Sequence, residues 1–78
     1  MTDRRLDRLR WHCRRGMLEL DLLLGKTLER GLERFTEHEL DLFERLLAME
    51  DTELFDALQG VAPPADPELQ QFVEKIQN

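Results

Sequence analysis

Seventy-eight residues, 36% charged and 41% apolar with a formal net charge of −6, describe one small globular domain spanning 1–78 and not a disordered tail. A chain this short buries only ~60–65% of the surface its unfolded form exposes, which leaves little interior for a deep catalytic cleft and favours a binding module. Cys13 is the sole cysteine, so an intrachain disulfide is excluded; with no signal-like segment and no run of apolar residues long enough to span a bilayer, the expected location is the cytoplasm, without membrane insertion.

The scarcity of Val, Ile and Thr beside abundant Leu, Glu and Arg predicts helices throughout. Thr2 or Asp3 can cap a first helix running to about Arg14, with Leu6, Leu9 and Cys13 on one stripe. Gly16 interrupts, and a second helix is expected from Met17 into the low thirties, weakened by Gly25 and Gly31, with Met17, Leu20, Leu24, Leu28 and Phe35 turned inward. Thr36 and Glu39 stand at capping-box spacing before a third helix to Met49, whose inner face is Leu40, Phe43 and Leu47. Asp51 is the expected cap of a short fourth helix that ends near Gly60 and buries Leu54, Phe55 and Leu58. After the turn "VAPPAD", Asp66 followed by Pro67 opens a fifth helix to about Ile76, carrying Leu69, Phe72, Val73 and Ile76. Five short helices with one apolar stripe each predict an all-α, compact five-helix bundle.

Charge divides the chain unevenly. Residues 1–15 hold six arginines against two aspartates, whereas residues 16–78 are strongly acidic. Such polarity suits an oriented protein partner better than a polyanion, because the acidic remainder repels phosphates. Trp11 lies opposite the Leu6/Leu9/Cys13 stripe, with Arg4, Arg8 and, if the helix persists, Arg15 around it. An exposed tryptophan among arginines is the composition enriched at interface hot spots, although Trp11 could equally stack on an arginine of its own chain.

Gly16 permits a left-handed turn and close approach of backbone. Glu19 then falls in the first turn of the second helix, pointing away from the apolar stripe, where it favours the helix dipole and could pair with Arg15. Asp21 flanks the stripe and either bonds across to the first helix or lines a contact surface. Catalytic constellations are missing: His12 and Cys13 diverge as neighbours on a helix, "HELDL" lacks a second histidine, and no glycine-rich phosphate loop occurs. The expectation is a non-enzyme with no metal site and no cofactor of its own.

At "WHCRRGMLELD" the sequence resembles the SdhE-type FAD assembly factors, the small bacterial flavinylation factors of succinate dehydrogenase. Their Arg-Gly-x-x-Glu signature is met by Arg15, Gly16 and Glu19, flanked by Trp11, Cys13, Arg14 and Asp21. "FERLLAMEDTELFDAL" and "PPADPEL" follow in the same order, so the resemblance covers nearly the whole chain. It implies a five-helix assembly chaperone that binds the free flavoprotein subunit of succinate dehydrogenase, and in some bacteria that of fumarate reductase. The factor promotes covalent attachment of FAD to a histidine of that partner, whose own groups carry out the chemistry. Together with the arginine face around Trp11, it gives an expected partner-binding set of Arg8, Trp11, Arg14, Arg15, Gly16, Glu19 and Asp21, and the free chain is expected to be a monomer. Arg15 and Glu19 are then both expected to offer charge outward, so that alanine at either leaves melting near native while flavinylation is lost. The competing readings are an antitoxin-like protein-binding module and a nucleic-acid binder using the arginine-rich first helix.

Overall fold

A computed structural model describes residues 4–77, in which α1 (Arg4–His12), α2 (Leu18–Arg30), a 3-10 turn (Leu32–Arg34), α3 (Glu37–Leu47), α4 (Asp51–Gln59) and α5 (Pro67–Gln77) follow one another. Among the described residues there is no strand, and the all-α five-helix expectation holds. The expected cap at Thr2 or Asp3 lies outside the described residues. α3 is central, packing against both α1 and α5; α2 rests on α4, and α4 on α5.

The core follows the periodic stripes. Leu9, Cys13, Leu20, Leu24, Leu40, Phe43, Leu47, Leu54, Leu58, Leu69, Phe72, Val73 and Ile76 are all buried. Leu6, Met17, Leu28, Phe35 and Phe55 are half-buried against them. Leu42 and Leu46 join the core beyond the expected stripe, because α3 is covered from two sides. Phe35, Phe43 and Phe72 meet edge to face, with centroids 5.5–6.3 Å apart, the arrangement that aligns ring edges with ring faces.

Helix ends carry the corrections. α1 stops at His12 and not near Arg14. The amides of Cys13 and Arg14 bond back to Arg10 and Trp11 in tightened i−3 steps, and the next amide, Arg15 N–H, is taken by Asp21 Oδ1 at 2.8 Å. A side-chain carboxylate thus replaces the carbonyl that would have continued the helix. α2 begins at Leu18, one residue later than expected, and Gly31 ends it before the 3-10 turn. The Thr36/Glu39 capping box forms with both reciprocal bonds. α3 ends at Leu47 and not Met49. The N-cap position of α4 is Glu50, whose side chain makes no capping bond, and Asp51 is the first helical residue, its carboxylate bonded to Arg15. Gly60, at φ +78°, closes α4 with bonds from Val61 N–H to Asp56 and from Gly60 N–H to Ala57, a Schellman arrangement. Asp66 Oδ1 accepts from Glu68 N–H at 2.9 Å, the cap expected of α5.

Ion pairs tie the helices at the surface: Arg5 to Asp41 and Glu44 across α1 and α3, Lys75 to Glu39 across α3 and α5, and Arg45 to Asp66; a hydrogen bond between His38 Nε2 and Glu68 joins α3 to α5 as well. Among the described residues no helix is long and apolar enough to cross a membrane.

Candidate partner-binding site

The stretch Arg14–Asp21 is the joint between α1 and α2. Gly16 occupies the left-handed region at φ +84°, where a side chain is strained whatever the space, and an added Cβ would meet nothing within 4 Å. The glycine therefore serves the sharp reversal of the chain. No neighbouring backbone presses on it from within the molecule.

Arg15, expected to face outward, turns inward. Its Nε donates to Asp51 Oδ1 at 2.8 Å, Nη1 to the Leu47 carbonyl at 2.8 Å and to that of His12 at 3.3 Å, and Nη2 to the Met49 carbonyl at 2.7 Å. Its side chain is only 15% exposed. Leu47 closes α3 and Asp51 opens α4, so one guanidinium satisfies orphan carbonyls at a helix C-terminus and pairs with a carboxylate at the next N-terminus. The planar fork with its five donors makes this possible; an ammonium could not reach the same acceptors together. This corrects two expectations. Arg15 does not pair with Glu19, and it does not share the outer face with Trp11, because α1 has already ended.

Glu19 is exposed in the first turn of α2, as expected. Asp21 is half-buried and fixes the joint through the Arg15 amide, bonding toward the end of α1 rather than standing free. Two positions apart, Glu19 and Asp21 sit roughly 160° apart around the helix and so serve opposite flanks. Asp21 lines an open groove of about 430 Å³ between α1 and α2, together with Asp7, Arg10, Trp11, Cys13, Arg14 and Leu28. Glu19 lies on the other flank with Leu22, Lys26 and Glu29.

Trp11 is 68% exposed, and the Arg14 guanidinium lies 5.9 Å from its ring centroid. Both suggested uses of this tryptophan are therefore available at once: an outward ring and a stacked arginine. Arg8 is exposed and lines a smaller groove between α1 and α3 with His12 and Glu44. Arg5 and Arg10 are held by acids of α3 and of the 3-10 turn, which breaks the basic end into separated charges and weakens a phosphate-binding surface. Burial pushes the Cys13 thiol up to about 11, so it stays protonated and inert.

Two features escaped the sequence. Leu18 and Leu22 are 76% and 60% exposed and lie side by side next to Glu19 on the outer face of α2. Their signal was present, since both lie off the Leu20/Leu24 stripe at i, i+4 spacing. Asp51 gave no such signal, because its partner is 36 residues away.

The family described as the flavinator of succinate dehydrogenase matches residues 7–78. The chain is similar to the FAD assembly factor SdhE of Legionella pneumophila (strain Paris), at 45% identity over all of this chain and 98% of the relative. It is also similar to the FAD assembly factors SdhE of Coxiella burnetii, 41% identical over 90% of this chain and 85% of the relative, and of Pseudomonas savastanoi pv. phaseolicola, 42% identical over 97% and 90%.

Proposed function

Since the chain belongs to the family of succinate dehydrogenase flavinators, we propose that it binds the free flavoprotein subunit of that enzyme and promotes covalent attachment of FAD to it, without catalysing the bond itself. The observation that carries this reading is the joint at Arg14–Asp21. Its backbone turns at Gly16 and is held by the Arg15 guanidinium and by Asp21, while Leu18, Glu19, Leu22 and Trp11 remain outside. A small rigid bundle that presents an acid beside two exposed leucines can contribute orientation to its partner without a cleft of its own.

Glu19 is the charged contact in this reading, with Leu18 and Leu22 beside it to exclude water, and Trp11, Arg14 and Arg8 offer a second, basic face at α1 and the turn that follows it. Removing water from an ion pair at such a contact makes the loss of either partner cost ~2–5 kcal/mol of binding. The chain acts in the cytoplasm, where the flavoprotein subunit is still free, and the same surface would serve the flavoprotein subunit of fumarate reductase.

The test is deletion of the gene followed by detection of covalent flavin in the dehydrogenase band on a denaturing gel, with capture of the flavoprotein subunit by the purified chain. Loss of the flavin signal, restored by the wild-type gene and not by a Glu19→Ala variant, is the expected result. Undiminished covalent flavin in the deletion strain overturns the reading.

A further inference from the structure

Arg15 is consumed by the bundle while Glu19, four residues on, is left outside, so the two charges cannot act in the same way. We propose that Asp51 and Arg15 form a positioning pair for the flavoprotein-binding surface: Arg15 serves the partner through the placement of Glu19 and Trp11, and Asp51 is as necessary to that placement as Arg15 is. The inference rests on the function proposed above and assigns a role to a residue 32 positions beyond the Arg-Gly-x-x-Glu stretch.

The guanidinium joins four segments at one point. It holds the last turn of α1 through the His12 carbonyl, the end of α3 through the Leu47 carbonyl, the α3–α4 link through the Met49 carbonyl, and the start of α4 through Asp51. Its own amide is tied to Asp21 in α2. Trp11 stands at the end of α1 and Glu19 at the beginning of α2, so this point lies between the elements that present the two candidate contacts. Asp51 supplies the only carboxylate that receives the Arg15 side chain among the described residues, at 2.8 Å and with its own side chain 40% exposed. Its removal leaves the buried apolar side chains in place. It frees one arm of the fork and loosens the setting of the α1–α2 joint against α4, which is the change expected to reach a partner without unfolding the bundle.

The experiment measures affinity of the full chain for the purified flavoprotein subunit of succinate dehydrogenase supplied with FAD, at a temperature where circular dichroism shows every variant folded. The variants are Asp51→Ala, Arg15→Ala, their double, Glu19→Gln, and Glu19→Gln combined with Asp51→Ala. The expected result is roughly tenfold weaker binding for each of Asp51→Ala and Arg15→Ala, with the double no worse than the weaker single, as residues acting through one device are non-additive. Glu19→Gln should weaken binding tenfold or more in the wild-type background and by less than threefold with Asp51→Ala. A purely stabilising role would leave the contribution of Glu19 unchanged in folded protein. Wild-type affinity for Asp51→Ala beside weak binding by Arg15→Ala means that Arg15 touches the partner itself, and overturns the inference while the proposed function stands. Should Arg15→Ala not fold, Asp51→Ala alone decides, and wild-type affinity again overturns the inference. Absence of binding by the wild-type chain overturns the proposed function, and this inference with it.

Discussion

Alanine at Glu19 removes an exposed carboxylate, whereas alanine at Arg15 removes a side chain that four segments share. Glu19→Ala should cost only ~0.3–1 kcal/mol of folding stability, the scale of a helix-dipole contribution at the surface. Covalent flavin in the partner should nevertheless be lost, and thermal melts run beside denaturing-gel flavin fluorescence check both halves. Arg15→Ala should behave differently from the expectation drawn from sequence. It strands the carbonyls of Leu47 and Met49 and the carboxylate of Asp51, a loss of about 2–3 kcal/mol for hydrogen bonds to a charged group. In a domain of this size that lowers the melting temperature by roughly 10–20 °C. A melt within about 3 °C of wild type would contradict the inward placement of Arg15. For Gly16→Ala the added methyl has room, so its cost is backbone strain alone, ~1 kcal/mol. Gly16→Asn should lose less, since asparagine tolerates the left-handed region.

At the scale of the helix, α3 and α5 are joined by carboxylates whose acidity the fold has changed. The Lys75 ammonium, with the Thr36 amide, holds the Glu39 carboxyl below its ordinary 4.5, and the Arg45 guanidinium with the Glu68 amide holds Asp66 below its ordinary 3.8. Both folded values lie under the unfolded ones. The stabilisation is therefore complete above pH 4.5 and is lost as the pH falls through these groups' lower folded values. Melting temperature should stay level above that point and decline below it, and Glu39→Gln together with Asp66→Asn should flatten the acid limb. An equally steep limb in that double variant would place the acid sensitivity elsewhere. The outer face of α2 offers a separate check. Leu18→Ala and Leu22→Ala remove exposed carbon and should leave the melt within about 0.5 kcal/mol of wild type, while weakening flavoprotein binding measurably.

The bundle as a whole should fold without flavin or metal, because α3 and α5 carry side-chain caps at their N-termini, α4 closes on Gly60, and one core runs from Leu9 to Ile76. Phe43 is fully buried and touches both neighbouring rings, so Phe43→Ala should cost ~3–5 kcal/mol, a large part of the stability of so small a domain. Urea titration followed by far-ultraviolet dichroism reads that loss directly. Trp11 reports on the assembled state: a neutral quencher should reach it in the free chain and be excluded once the flavoprotein subunit binds. Equal quenching in both states would remove Trp11 from the interface.

What was legible in the residues was local. The capping box at Thr36 and Glu39, the stop at Gly60 and the opening of α5 at Asp66 each depend on groups within five positions of one another. Hydrophobic period placed the core for the same reason, since one face of a helix is fixed by its own sequence. The left-handed turn at Gly16 and the outward aim of Glu19 and Trp11 followed from the same short-range rules. Arg15 did not, and neither did the shift of the α4 cap from Asp51 to Glu50. Arg15 can satisfy its donors with Glu19 nearby or with α3 and α4 far along the chain, and nothing in its own stretch of sequence chooses between them. Only the packing of α1 and α2 beside the α3–α4 link brings the Leu47 and Met49 carbonyls and Asp51, 32 to 36 residues away, within 2.8 Å of the guanidinium. Buried carbonyls without a donor are costly, so once the helices assemble the arginine is drawn inward and the glutamate is left for the partner.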